Sequence, residues 1–287
     1  MTRLDLLLLL MVVIWGSNFT VVKVALVDFP ELAFNAMRMV VGSAIFAGMI
    51  WLSRARVALS RADWIRLALL GVVGHFLYQL CFVGGVKRTS VGNSSLIIGA
   101  SPVLIAVFSS LAGHERVPPV RWLGVFLALT GLYFVVGHRA DWSNATWQGD
   151  TLMLVAMLCW ATYSVAAQPL LKRHSPLVVT GVSFIIGAIL YVGATAPVLA
   201  TVDWSRVSLA SWILMVLSAA LALNLAYLIW YTGVQRLGGT RTAMYSYLTP
   251  IAAMLVAAAW IGEPISANQV VGVGAILTGL AVTRFAR

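Results

Sequence analysis

Apolar runs of about 20 residues recur along the whole chain, separated by short stretches rich in Arg, Lys, Asp and Pro. Roughly 20 apolar residues are needed for a helix to cross the hydrocarbon of a bilayer. The pattern predicts ten membrane-spanning helices, at Leu4–Val27, Glu31–Leu52, Trp64–Gly85, Val91–Ala112, Val120–Val136, Gly149–Leu171, Leu177–Leu199, Ala210–Gln235, Thr240–Ile261 and Ser266–Phe285. The first run comes after Arg3 and is leucine-rich, as a signal peptide is. However, Trp15-Gly16-Ser17-Asn18 stands where a small-residue cleavage site would be needed, so this run is read as a retained first helix.

The pattern also repeats. Thr89–Leu132 aligns with Leu237–Leu280 at a constant offset of 148, which puts Pro102 on Pro250, Glu115 on Glu263, and Leu129-Thr130-Gly131-Leu132 on Leu277-Thr278-Gly279-Leu280. Nearer the start of each copy the offset is 145, pairing Trp15 with Trp160, Leu32 with Leu177 and Gly42 with Gly187. Self-similarity at half the chain length means two copies of one unit, here residues 1–139 and 147–287. Five spans per copy is an odd number, so the second copy is expected upside down relative to the first. An inverted repeat of this kind holds its binding site near the bilayer midplane, in a cavity between the halves.

Composition agrees with a membrane class. Hydrophobic residues are 61% of the chain and charged residues 10%, against about 45–50% and 25% in soluble domains. The net charge of +10 is spread between the apolar runs and forms no continuous basic face, so nucleic acid is not an expected partner. Cys81 and Cys159 both fall in apolar runs and read as small buried hydrophobes; no disulfide framework, metal or cofactor is called for. With a cytoplasmic N-terminus, inside loops and ends hold 13 Lys and Arg and outside loops hold 4. This positive-inside bias puts both termini in the cytoplasm.

With Trp15-Gly16-Ser17-Asn18-Phe19 in the first helix, and Pro102 in a helix ending near Glu115 that recurs as Pro250 and Glu263, the chain resembles the drug/metabolite transporter superfamily. Within it, the ten-helix EamA-type bacterial exporters are most similar, including those that export amino acids, notably aromatic ones. Trp160-Ala161-Thr162 departs from the Trp-Gly-Ser form of the first half. The resemblance implies an all-α multi-pass protein of the cell inner membrane, a monomer or weak dimer, which moves small metabolites by alternating access. It implies a small-molecule substrate and the lipid bilayer as partners. Broad efflux of lipophilic compounds is the alternative activity.

Polar side chains facing lipid would go unsatisfied, so polar and aromatic stripes mark inward faces. His75, Tyr78, Gln79 and Phe82 have the i, i+3, i+4, i+7 spacing of one helix face. Asn224, Tyr227 and Tyr231 do the same in the second copy, where Tyr227 corresponds to Gln79. Trp15, Asn18 and Phe19 in the first span, Trp160, Tyr163 and Ser164 in the sixth, and Ser94, Ser101 and Tyr245 beside the two prolines complete the expected substrate wall. Each of these also fits a plain role in holding helices together. Pro102 and Pro250 are each expected to free a carbonyl four residues back.

Gly99-Ala100-Ser101-Pro102 with His75 as base superficially resembles an intramembrane serine protease. The second copy has Leu248-Thr249-Pro250 and no matching histidine, which favours a duplicated helix break over an active site. All nine carboxylates fall at span ends or in loops, so none is available as a mid-membrane proton relay. Lys23 is expected to snorkel from the outer end of the first span. Arg38 is expected to be structural, snorkelling or paired with Glu31. The topology is open to test in a background free of Cys81 and Cys159: Ser205→Cys is expected to react with an impermeant thiol reagent on intact cells, and Ala58→Cys is expected to be protected. The reverse pattern would overturn the orientation.

Overall fold

The computed structural model describes residues 2–54, 57–113 and 145–285, with Leu123, Phe126, Leu127 and Thr130 between the last two stretches. All regular structure among the described residues is helical. Eight helices are long and apolar enough to cross a membrane: α1 (Arg3–Ala25), α2 (Glu31–Leu52), α3 (Arg61–Arg88), α4 (Val91–Leu111), α5 (Thr146–Leu171), α6 (Pro176–Leu199), α7 (Leu209–Leu237) and α8 (Thr242–Ile261). A further helix, α9, spans Ala267–Phe285. The predicted span at Val120–Val136 lies outside the described residues except at the four positions named above.

Local chemistry sets the helix starts. The Ser60 hydroxyl accepts from the Asp63 N–H at 3.2 Å, and the Asp63 carboxylate accepts from the Ser60 N–H at 3.3 Å. This capping box starts α3 at Arg61, one turn ahead of the apolar run that predicts it. Thr2 and Asp5 make the same reciprocal pair at the head of α1.

Two departures from the ideal helix recur in each copy. α3 contains a π-helical segment at Val72–Leu77, and α7 contains one at Ser218–Leu225. α4 breaks at Ala100, with φ −81° and ψ −7°, and α8 breaks at Leu248, with φ −82° and ψ −15°. The offset of 148 carries one break onto the other. In each, a proline without an N–H stands two residues later, as Pro102 and Pro250.

The copies interlock. α1 packs against α8, α5 against α4, and α2 against α6. Close approach of α1 to α8 depends on Gly16: a Cβ there would lie 2.6 Å from the Ala252 Cβ and 3.0 Å from the Ala253 backbone nitrogen. Gly99, beside the first break, leaves no room for a Cβ because Pro250, beside the second, occupies the place.

Loops of each copy also cap helices of the other. Asp28, between α1 and α2, accepts hydroxyl hydrogen bonds from Ser208 at 2.5 Å and Ser211 at 2.7 Å. These bonds, Ser208's first, hold its carboxyl below the usual carboxylate range. Arg173 and His174, between α5 and α6, meet Asp63 at 2.6 and 3.2 Å. The Glu263 carboxylate accepts from the backbone N–H groups of Val91 at 3.0 Å and Gly92 at 2.9 Å, at the positive end of α4.

Lys23, expected to snorkel from the outer end of the first span, reaches the end of a neighbouring helix. Its ammonium donates to the carbonyls of Val86 (2.9 Å), Lys87 (3.3 Å) and Thr89 (2.5 Å). These are orphan acceptors at the C-terminal end of α3, where a cation is favoured.

The Gly16 contact predicts a stability difference. Gly16→Ala is expected to destabilise by about 1–3 kcal/mol, because α8 must shift to admit the methyl group. Gly48→Ala, where a Cβ meets nothing within 4 Å, is expected to be neutral or slightly stabilising. Thermal unfolding of the two variants in detergent checks the contrast, and equal midpoints would refute it.

Candidate functional site

The two breaks and the inward faces of the paired helices enclose a cavity of about 560 Å³, open mouth included. It is lined by Trp15, Asn18 and Phe19 of α1, Arg38 of α2, Tyr78, Gln79 and Phe82 of α3, Ile98, Gly99 and Ser101 of α4, Trp160 of α5, Ala222, Leu223 and Tyr227 of α7, and Ser246 and Thr249 of α8. Both copies contribute, and so do both breaks.

Aromatic rings form one wall. Trp15 and its repeat counterpart Trp160 meet edge to face at 5.4 Å between centroids. Tyr227 meets Trp160 at 5.3 Å and Trp15 at 6.0 Å, both edge to face. Tyr78 stacks on Phe82 at 5.5 Å and lies 5.6 Å from Trp160. The Trp15 indole N–H is held by the Ala222 carbonyl at 3.1 Å, which fixes the ring plane. Pairs of this kind stabilise beyond the area they bury, so the wall is pre-formed.

A polar network joins it. The Arg38 guanidinium, fully buried, donates to the Asn35 side-chain oxygen at 2.8 and 3.1 Å, to the Ser218 hydroxyl at 3.1 Å, and to Gln79 Oε1. Ser218 in turn donates to Asn18 Oδ1 at 2.6 Å. The network therefore connects α1, α2 and α3 of one copy to α7 of the other. Ser101, Ser246 and Thr249 also line the cavity; their hydroxyl oxygens are buried and have no hydrogen-bond partner among the described residues.

Of the residues expected from sequence, Trp15, Asn18, Phe19, Tyr78, Gln79, Phe82, Ser101, Trp160 and Tyr227 line the cavity. His75, Ser94, Tyr163, Asn224, Tyr231 and Tyr245 do not. The π segments account for two of these corrections. A π turn holds more residues than an α turn and so rotates the two flanking helical stretches relative to each other. The 3.6-residue stripe that groups His75 with Tyr78, and Asn224 with Tyr227, does not hold there. His75 Nε2 instead meets the Tyr163 hydroxyl at 3.0 Å and the Ser183 hydroxyl at 3.2 Å. Asn224 donates to the Gly42 carbonyl at 2.9 Å. Tyr231 packs edge to face on Tyr163 at 5.2 Å. Tyr245 donates to Asp5 at 2.7 Å near the start of α1. Ser94 is fully buried in α4, two turns before the break.

Arg38, Ser246 and Thr249 are polar wall residues that the sequence-based wall did not include. Glu31, the carboxylate named as one alternative for Arg38 beside snorkelling, is held bidentately by Arg88 at 2.8 and 3.0 Å. The available signal for Arg38 was its depth in the second span together with the absence of any carboxylate there. His75 and Ser101 form no Ser–His pair, because the hydrogen bonds of His75 go to Tyr163 and Ser183. Among the described residues no group of three or more His, Cys, Asp or Glu could hold a metal ion.

Several proteins similar to this chain are named as transporters. A Bacillus subtilis protein named uncharacterized transporter YyaM is 25% identical over 92% of this chain and 88% of its own. A Streptantibioticus cattleyicolor protein named as a probable terminal-alkyne amino-acid exporter is 28% identical over 89% of this chain and 84% of its own. A solved crystal structure covering 97% of this chain and 95% of its own matches with a TM-score of 0.72 at 21% identity, a likeness of fold alone. The EamA-like transporter family matches twice, over residues 2–137 and 147–285. This multi-pass membrane chain, with its duplicated helical unit and shared central cavity, belongs to the EamA-like transporter family.

Proposed function

We propose that this protein is a secondary transporter that exports small amphipathic metabolites, amino acids including aromatic ones, across the cell inner membrane by alternating access. It is read as ten helices in two inverted five-helix copies with both termini cytoplasmic. Support comes from the reciprocal packing of α1 on α8 and α5 on α4, from the two family matches, and from the 13 to 4 basic asymmetry of the loops.

The observation that carries the substrate reading is the aromatic cluster of Trp15, Tyr78, Trp160 and Tyr227 on the cavity wall, drawn from both copies. Flat rings offset by polar groups suit a substrate with an aromatic or apolar side chain and a polar head. The amino-acid exporter among the relatives supports the same class.

Flux in proteoliposomes tests it. Labelled phenylalanine and tryptophan are expected to leave loaded vesicles faster than from protein-free ones, with saturation. Stimulated flux of lipophilic cations with no amino-acid flux would instead favour broad efflux, and no stimulated flux of either would sink the reading. Tyr78→Ala and Tyr227→Ala are each expected to slow amino-acid flux about tenfold while the protein still folds, since each removes a stacking face. Unchanged rates in both variants would remove these rings from the substrate path. His75 does not line the cavity; it is bonded to Tyr163 and Ser183 and packs behind the Tyr227 ring at 5.6 Å, so His75→Gln is expected to keep downhill flux within about twofold. A His75→Gln protein that loses accumulation driven by a pH gradient would make the residue a proton carrier.

A further inference from the structure

Arg38 carries a fixed positive charge, because a guanidinium does not deprotonate in proteins. It is fully buried within a membrane-spanning helix and stands on the cavity wall. Removing such a charge from water costs several kcal/mol unless an opposite charge meets it. Each hydrogen bond it makes goes to a neutral oxygen: Asn35, Ser218 or Gln79.

Every described carboxylate is engaged elsewhere. Glu31 holds Arg88, Asp63 holds Arg173 and His174, and Asp203 holds Arg206. Asp28 takes the Ser208 and Ser211 hydroxyls, Glu263 the N–H groups of Val91 and Gly92, Asp150 the Thr89 hydroxyl, and Asp5 the Tyr245 hydroxyl. No salt bridge joins Arg38 to any of them.

We propose that Arg38 is the anion-binding residue of the cavity and that the substrate must carry a carboxylate, which takes the place of the Gln79 side-chain oxygen on the guanidinium. The inference rests on the transport reading above and narrows it, from amphipathic metabolites to aromatic or apolar carboxylates. A planar carboxylate matches the guanidinium fork in a way that the single amide oxygen of Gln79 does not. The rest of the molecule lies against the Trp15, Tyr78, Trp160 and Tyr227 rings. An amino acid fits this scheme: Ser101, Ser246 and Thr249 line the same cavity, and their buried hydroxyls, without a partner among the described residues, accept hydrogen bonds from an ammonium once rotated toward it. A cationic lipophile does not fit it, since its charge would be repelled by Arg38.

Matched acid and amide pairs test the inference on the full chain in detergent, with tryptophan fluorescence quenching as the binding signal. The probes are phenylalanine with phenylalaninamide, and 3-phenylpropionate with 3-phenylpropanamide. Wild type is expected to bind each acid at least about tenfold more tightly than its amide. Arg38→Gln is expected to erase that preference. Because removing a buried arginine can unfold the chain, Gln79→Glu is the second variant. It sets a permanent carboxylate against Arg38, so it is expected to fold at least as stably as wild type and to lose acid binding about tenfold or more. Equal affinity for acid and amide in wild type, retention of acid binding in Gln79→Glu, or no acid binding at millimolar concentration overturns the proposal. Acid binding that depends on Arg38 without vesicle flux would keep the anion site and remove the transport reading. Flux of the amides as fast as the acids would keep transport and remove the anion site.

Discussion

In hydrocarbon a backbone group without a hydrogen-bond partner costs several kcal/mol, and water is not there to supply one. This constraint explains why the chain is helical throughout its described spans and why its irregular backbone is confined. The breaks at Ala100 and Leu248 lie where α4 and α8 meet, with Gly99 against Pro250, and both face the cavity. A break facing lipid would leave its carbonyls bare. Each copy therefore depends on the other: the first supplies the surface that shields the second's broken helix, and the second returns it. The cavity lies at that exchange, with Gly99 and Ser101 beside one break and Ser246 and Thr249 beside the other on its wall.

The same dependence governs the charges. Helix ends in each copy are completed by groups from distant parts of the chain, as with Lys23 on the last carbonyls of α3, Glu263 on the first N–H groups of α4, and Asp28 on the head of α7. These pairs neutralise partial charges at the helix termini. The described carboxylates at the span ends are engaged by such caps or by ion pairs, as Glu31 is by Arg88 and Asp63 by Arg173, which leaves Arg38 as a full charge set among neutral acceptors. Polar groups concentrated at one point of an otherwise aromatic wall give the cavity two chemically distinct regions, and a ligand that satisfies both is amphipathic.

The sequence by itself determined the class, the duplication and most of the aromatic wall. Runs of about 20 apolar residues have no other stable home than a bilayer, and a constant offset between copies is independent of any three-dimensional knowledge. Trp15, Tyr78, Phe82, Trp160 and Tyr227 were legible because the helix period is regular over the stretches that hold them, and bulky rings beside polar groups mark an inward face. The break positions were legible from Pro102 and Pro250, since a proline's missing N–H is a local property.

Tertiary structure alone decided what lies beyond those local rules. The π segments at Val72–Leu77 and Ser218–Leu225 have no sequence mark, yet they turn His75 and Asn224 off the face to which a 3.6-residue period assigns them. The sequence left Arg38 either snorkelling or paired with a carboxylate such as Glu31, but Arg88, 57 residues from Glu31 in the chain, takes that carboxylate. Which of two cations captures one anion depends on where separate helices come to rest against each other, and that is decided by packing between helices rather than by spacing along one of them.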